Sequence, residues 1–143
     1  MRTYAFSAFA AMVMMISANG GAVSSEIVVV VSTKSSVMSL SANQIADIFL
    51  GKVSRFPDGN QAIPIDQSEE SAARDRFYAQ FTGKSSAQVR SHWSKIIFTG
   101  RGQPPRQALN SADAKRLVVE NQNAIAYIDS SLVDTSVRII PVR

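Results

Sequence analysis

The sequence predicts an α/β fold in which a central sheet is flanked by about four helices. A continuous β-branched run opens the ordered part of the chain, several later stretches carry apolar residues at helical spacing between a cap and a stop signal, and two apolar runs near the end read as strands. Strands that alternate with helices bury their faces most economically in layers around one sheet.

The first strand is Glu26 to Ser32, EIVVVVS, whose unbroken run of valine fits a strand covered on both faces and so a central place in the sheet. Then SANQIADIFLG pairs Ser41 with Gln44 as a capping box, puts Ile45, Ile48 and Phe49 on one face, and stops at Gly51. FPDGN is a turn, and AIPID is a second strand whose Pro64 fits an edge position or a strand start. That strand runs straight into a second helix. Ser68 reads as its N-cap, Glu69 and Glu70 as its first turn, Ala73, Phe77 and Phe81 as its buried face, and Gly83 as its stop. Ser71, Arg74 and Tyr78 share another face.

A second capping box, Ser85 with Gln88, starts a third helix on which Val89, Trp93, Ile96 and Ile97 recur, ending at Gly100. The loop RGQPPRQ leads to a fourth helix, SADAKRLVVENQ, with Ala114, Leu117 and Val118 inward. AIAYID and SVRIIPV close the chain as strands.

Residues 1–22 read as a signal peptide that is removed on export, with Arg2 near the start, an apolar run from Tyr4 to Ala18, and Gly20 and Ala22 spaced for cleavage after Ala22. The alternative, an uncleaved anchor, suits the run less well, since it is short and broken by serine. Residues 26–143 are then expected to form a single exported domain, large enough for its own core, with no membrane insertion once the leader is gone. With no cysteine there is no disulfide framework, thiolate nucleophile or thiolate metal site. Loss of Arg2 lowers the net charge from +4 to +3, a slight excess that favours anionic partners weakly. No dense basic run interleaved with aromatics supports nucleic-acid binding.

Nothing assembles into an enzyme, and no cofactor is implied. His92, the only histidine, borders the apolar stripe between Val89 and Ile96 and reads as a structural imidazole. A zinc site would need carboxylates for nearly every other ligand, and neither a serine elbow nor a glycine-rich phosphate motif is present. Arg101 and Arg106 flank Pro104 and Pro105 as a fixed pair of cations, although a solvated connector explains them more simply. STKSSVMS, Ser32 to Ser39, is a hydroxyl-rich loop beyond the first strand. It would lie near the second helix if the first two strands were parallel neighbours.

VVVVS, SLSANQIADIFLGKVSRFPDG, IPIDQSEESAARDRFYAQF and AIAYID together resemble the substrate-binding proteins of phosphate ABC transporters, over nearly all of residues 26–143. The resemblance implies a type 2 periplasmic binding fold, of which this chain supplies about one lobe, as in the short single-lobe members. It also implies a periplasmic location and phosphate or another oxyanion as ligand. The sites that follow from it are Ser71, Ser68 and Gln67 at the second helix, the loop hydroxyls Thr33 and Ser35, and Arg74 for charge. Where the family carries Arg-x-x-x-Ser-Gly-Thr, this chain reads Gln67-Ser68-Glu69-Glu70-Ser71-Ala72-Ala73, so only Ser71 is retained. The expected affinity is modest because a single lobe leaves the ligand open to water, and the helix end is expected to be largely filled by Glu69 and Glu70. The alternative is a ligand-free interaction module that docks on a membrane sensor, transporter or porin-associated partner.

Overall fold

The computed structural model describes residues 26–143, so the signal-peptide reading of residues 1–22 lies outside the described residues. Five strands form one mixed sheet: β1 (Ile27–Ser32), β2 (Ile63–Gln67), β3 (Arg106–Ala108), β4 (Ala124–Asp129) and β5 (Val137–Ile139), in the order β3-β2-β4-β1-β5. Four α-helices accompany them: α1 (Ala42–Phe49), α2 (Ala72–Thr82), α3 (Ser86–Phe98) and α4 (Ser111–Glu120). Among the described residues no helix is long and apolar enough to cross a membrane.

β1 is an interior strand, as its valines require, although β4 holds the centre. Successive residues of β1 face opposite layers. Val29 and Val31 join Ile45, Phe49, Phe77 and Trp93 from α1, α2 and α3, whereas Val30 joins Ala114, Leu117 and Val118 from α4. The first layer is rich in aromatics: Phe77 stacks on Tyr127 with centroids 4.0 Å apart and meets Phe49 edge-on at 4.7 Å. The caps at Ser41 and Ser85 form as both capping boxes, and Gly83 ends α2 in the left-handed region at φ 66°. Gly51 follows α1 at φ 73°, with the Trp93 ring so close that a Cβ there would lie 2.7 Å from Cη2.

Of the two places expected for Pro64, the structure shows a strand start rather than an edge: it is the second residue of β2, an interior strand, and is tolerated because β3 pairs only with Ile65 to Gln67, leaving the flank of Pro64 outside that ladder. One expectation changes because of β3 itself, a three-residue strand inside a segment that reads as loop. Its parallel pairing continues past β2, since the Ser68 N–H donates to Ala108 O at 2.9 Å and keeps the chain extended there. Ser68 therefore cannot cap α2. Ser71 is the N-cap, the helix starts at Ala72, and Glu69 and Glu70 form the turn before it rather than its first turn.

Candidate functional site

The head of α2 sits where β2, β3 and β4 end. β4 runs antiparallel to β1 and parallel to β2, so the carboxyl end of β2 is level, across β4, with Val28 of β1 and not with the end of β1. Thr33 is five residues further along, about 17 Å at strand rise. Thr33 and Ser35 thus occupy the opposite end of the sheet and cannot share a ligand with Ser68 or Ser71. The reason is strand direction: β1 and β2 are antiparallel and separated by β4.

The remaining four predicted residues do converge. Gln67 is completely buried, and its Nε2 donates to Tyr127 O at 2.9 Å and to Ser111 Oγ at 3.1 Å, while its Oε1 accepts from Ser71 Oγ. Ser71, turned toward Gln67, gives α2 no side-chain cap. Ser68 Oγ donates to Leu109 O at 3.0 Å, and the Ser71 N–H donates to Ser68 O to close the turn. What fills this corner is the Gln67 amide, not the pair of glutamates. Glu69 turns outward to a forked pair with Arg90 on α3, at 3.1 and 3.2 Å, which holds its carboxyl below the usual range; Glu70 is exposed.

Arg74 is 4 % exposed, and its Nε stands 3.5 Å from Asp66 Oδ1. Its counter-ion is thus Asp66, although Glu70 stands four residues before it in sequence, a spacing that would pair the two on a helix. At that separation the contact is an ion pair without a hydrogen bond, and Nε and Nη1 of Arg74 have no hydrogen-bond partner among the described residues. Asp66 also accepts from the hydroxyls of Tyr78, at 2.7 Å, and Tyr127, and from the Gln67 N–H at 2.8 Å. Burial first, and then the charge of Asp66, pushes both phenols far upward, so they remain protonated donors. At the rim, Ser111 Oγ accepts from the Asp129 N–H at 3.1 Å, and Arg76 meets Asp129 at 3.2 Å.

Asp66, Tyr78, Tyr127 and Ser111 are the residues that sequence reasoning missed here. The available signal was Asp66 itself, an acid that follows the apolar Ile63, Pro64 and Ile65 in one strand, which demands a buried partner. The other candidates outside this corner behave as structure. His92 Nε2 lies 2.7 Å from Leu50 O and its ring meets Trp93 edge-on, so it ties α3 to the end of α1. Arg101 and Arg106 are both exposed.

No family model matches the sequence, and no curated protein matches it significantly. Solved structures do. A protein from Clostridium perfringens, described as a phosphate ABC transporter substrate-binding protein and solved with bound phosphate, is 26% identical with a TM-score of 0.66 over 82% of this chain and 45% of its own. An ABC-type phosphate transport receptor from Vibrio cholerae gives 18% identity and 0.66 over 82% and 46%. PstS from Borrelia burgdorferi gives 11% and 0.62 over 83% and 47%. The fold is that of phosphate ABC transporter substrate-binding proteins, and the chain spans a little under half the length of these structures.

Proposed function

We propose that this chain is an exported periplasmic solute-binding module, not an enzyme, that takes phosphate or another oxyanion at the head of α2 and works with a membrane transporter. The observation that carries the reading is the β2–α2 corner: an N-cap that leaves the first N–H groups of α2 without a side-chain cap, the Ser68 and Ser71 hydroxyls beside it, and the buried Arg74 one turn in. The likeness to a phosphate-bound structure supports it. Two features limit the affinity. Asp66 already neutralises Arg74, and a single lobe leaves its ligand open to water. Binding is expected at micromolar or weaker, about 8 kcal/mol at most.

A second reading, a lobe that has lost its ligand and docks on a membrane sensor, transporter or porin-associated partner, is favoured by Gln67, which satisfies its own amide inside the corner and leaves it filled. Calorimetric titration of inorganic phosphate into the exported form, at low and moderate salt, separates the two. The first reading expects weak saturable heat that survives moderate salt and that falls with Ser71→Ala. A folded protein that gives no heat at millimolar phosphate removes the oxyanion and leaves the docking module. A nanomolar dissociation constant in a verified monomer would falsify the open-lobe argument.

A further inference from the structure

From Arg76 to Ala112 the chain carries six Lys and Arg residues, its only histidine, and no acid. Two of those cations are matched, Arg76 to Asp129 and Arg90 to Glu69. Lys84, Lys95 and Arg101 form no ion pair among the described residues. Lys95 and Arg101 bracket the end of α3, where the chain reverses: Gly100 adopts φ 66°, and the Arg101 N–H donates to Ile96 O at 3.0 Å. The reversal folds the loop back over Ile96, which packs on the core. Ile97 and Phe98 are left outside, at 54% and 93% exposure.

We propose that this tip, Phe98 and Ile97 ringed by Lys95 and Arg101, is a peripheral docking surface for an anionic lipid membrane. A nearly fully exposed phenylalanine gains by leaving water, and the unmatched cations beside it are attracted to a negatively charged leaflet. Phe98 stands almost fully exposed at the helix end, beside a shallow hollow lined by Ile97, Gly100, Arg101 and Pro104, and an exposed aromatic next to cations suits the headgroup layer of a membrane. Charge complementarity and the exposed aromatic therefore assign the surface to lipid. It is separate from the head of α2, and its test does not depend on phosphate.

The test is co-sedimentation of residues 23–143, whose sheet and both core layers lie within the described residues, with vesicles of equal parts phosphatidylglycerol and phosphatidylcholine, against vesicles of phosphatidylcholine alone. Binding is expected to the anionic vesicles only, and to weaken as salt rises. Phe98→Ser should lower the partition coefficient about tenfold, and Lys95→Gln or Arg101→Gln about fivefold each. Arg116→Gln, on α4 in the opposite layer, should leave it unchanged. Emission from Trp93, the only tryptophan, checks that each variant is folded. No sedimentation with anionic vesicles, equal binding to neutral ones, or equal losses for Phe98→Ser and Arg116→Gln would each overturn the proposal. Retention on a polyglutamate matrix with no vesicle binding would overturn it as well, assigning the tip to an acidic protein.

Discussion

Replacing Asp66 by Asn should be among the most damaging isosteric changes available in this domain. The carboxylate is 2% exposed, stands 3.5 Å from a guanidinium that is itself 4% exposed, and accepts from two tyrosine hydroxyls and a backbone N–H. Asn keeps the volume but removes the charge, leaving Arg74 as an uncompensated buried cation, a loss of about 3–5 kcal/mol when one partner of such a pair is removed. Its amide also presents N–H groups to one of the two phenol donors, adding about 1 kcal/mol for an unsatisfied contact. Together these amount to about 4–6 kcal/mol. Arg74→Met, which removes the guanidinium whose Cζ lies 5.2 Å from the Tyr78 ring centroid, should cost about 3 kcal/mol because Asp66 is then the unmatched charge. The double variant, with neither charge present, should be no worse than Asp66→Asn alone, which gives a coupling of about 3 kcal/mol. Urea unfolding followed by Trp93 fluorescence and circular dichroism measures all three. Additivity of the two single changes within about 0.5 kcal/mol would show that Arg74 and Asp66 do not act as a pair, and the reasoning would be refuted.

Gly51→Ala should cost more than Gly83→Ala in thermal unfolding. Both positions lie in the left-handed region, at φ 73° and 66°, where a Cβ costs about 1–2 kcal/mol, but only the Gly51 Cβ meets a ring, 2.7 Å from Trp93 Cη2; equal losses would refute the packing argument. Acid should destabilise the fold through its surface carboxylates. Arg90 at Glu69, the Ser36 hydroxyl at Asp58, the Leu109 N–H at Asp113 and Lys115 at Asp134 each hold the folded pKa below its ordinary value. Their contribution is therefore fully present above the unfolded range near pH 4 and is lost as pH falls through the depressed values. Melting temperature should be level from neutral pH to about pH 5 and drop below about pH 4. Asp58→Asn should lessen that drop, and an unchanged slope would count against this assignment.

What the sequence determined alone is whatever depends on neighbours within a few residues. The Ser41–Gln44 and Ser85–Gln88 capping boxes span three residues each, and the left-handed stop at Gly83 is a property of one, so these helix ends were legible. The uninterrupted valines of β1 likewise state that both faces are covered, whichever strands lie beside it. The tertiary structure decided what depends on pairing between distant segments. Ser68 and Ser71 are equally good caps by type, and the choice between them fell to Ala108, forty residues away, whose carbonyl holds Ser68 in the ladder. Thr33 and Ser35 were separated from the α2 head by the insertion of β4 antiparallel to β1, a direction no local pattern encodes. Arg74 has Glu70 within helical reach in sequence, yet its partner is Asp66, because burial removes the cation from water and only a buried carboxylate can follow it there.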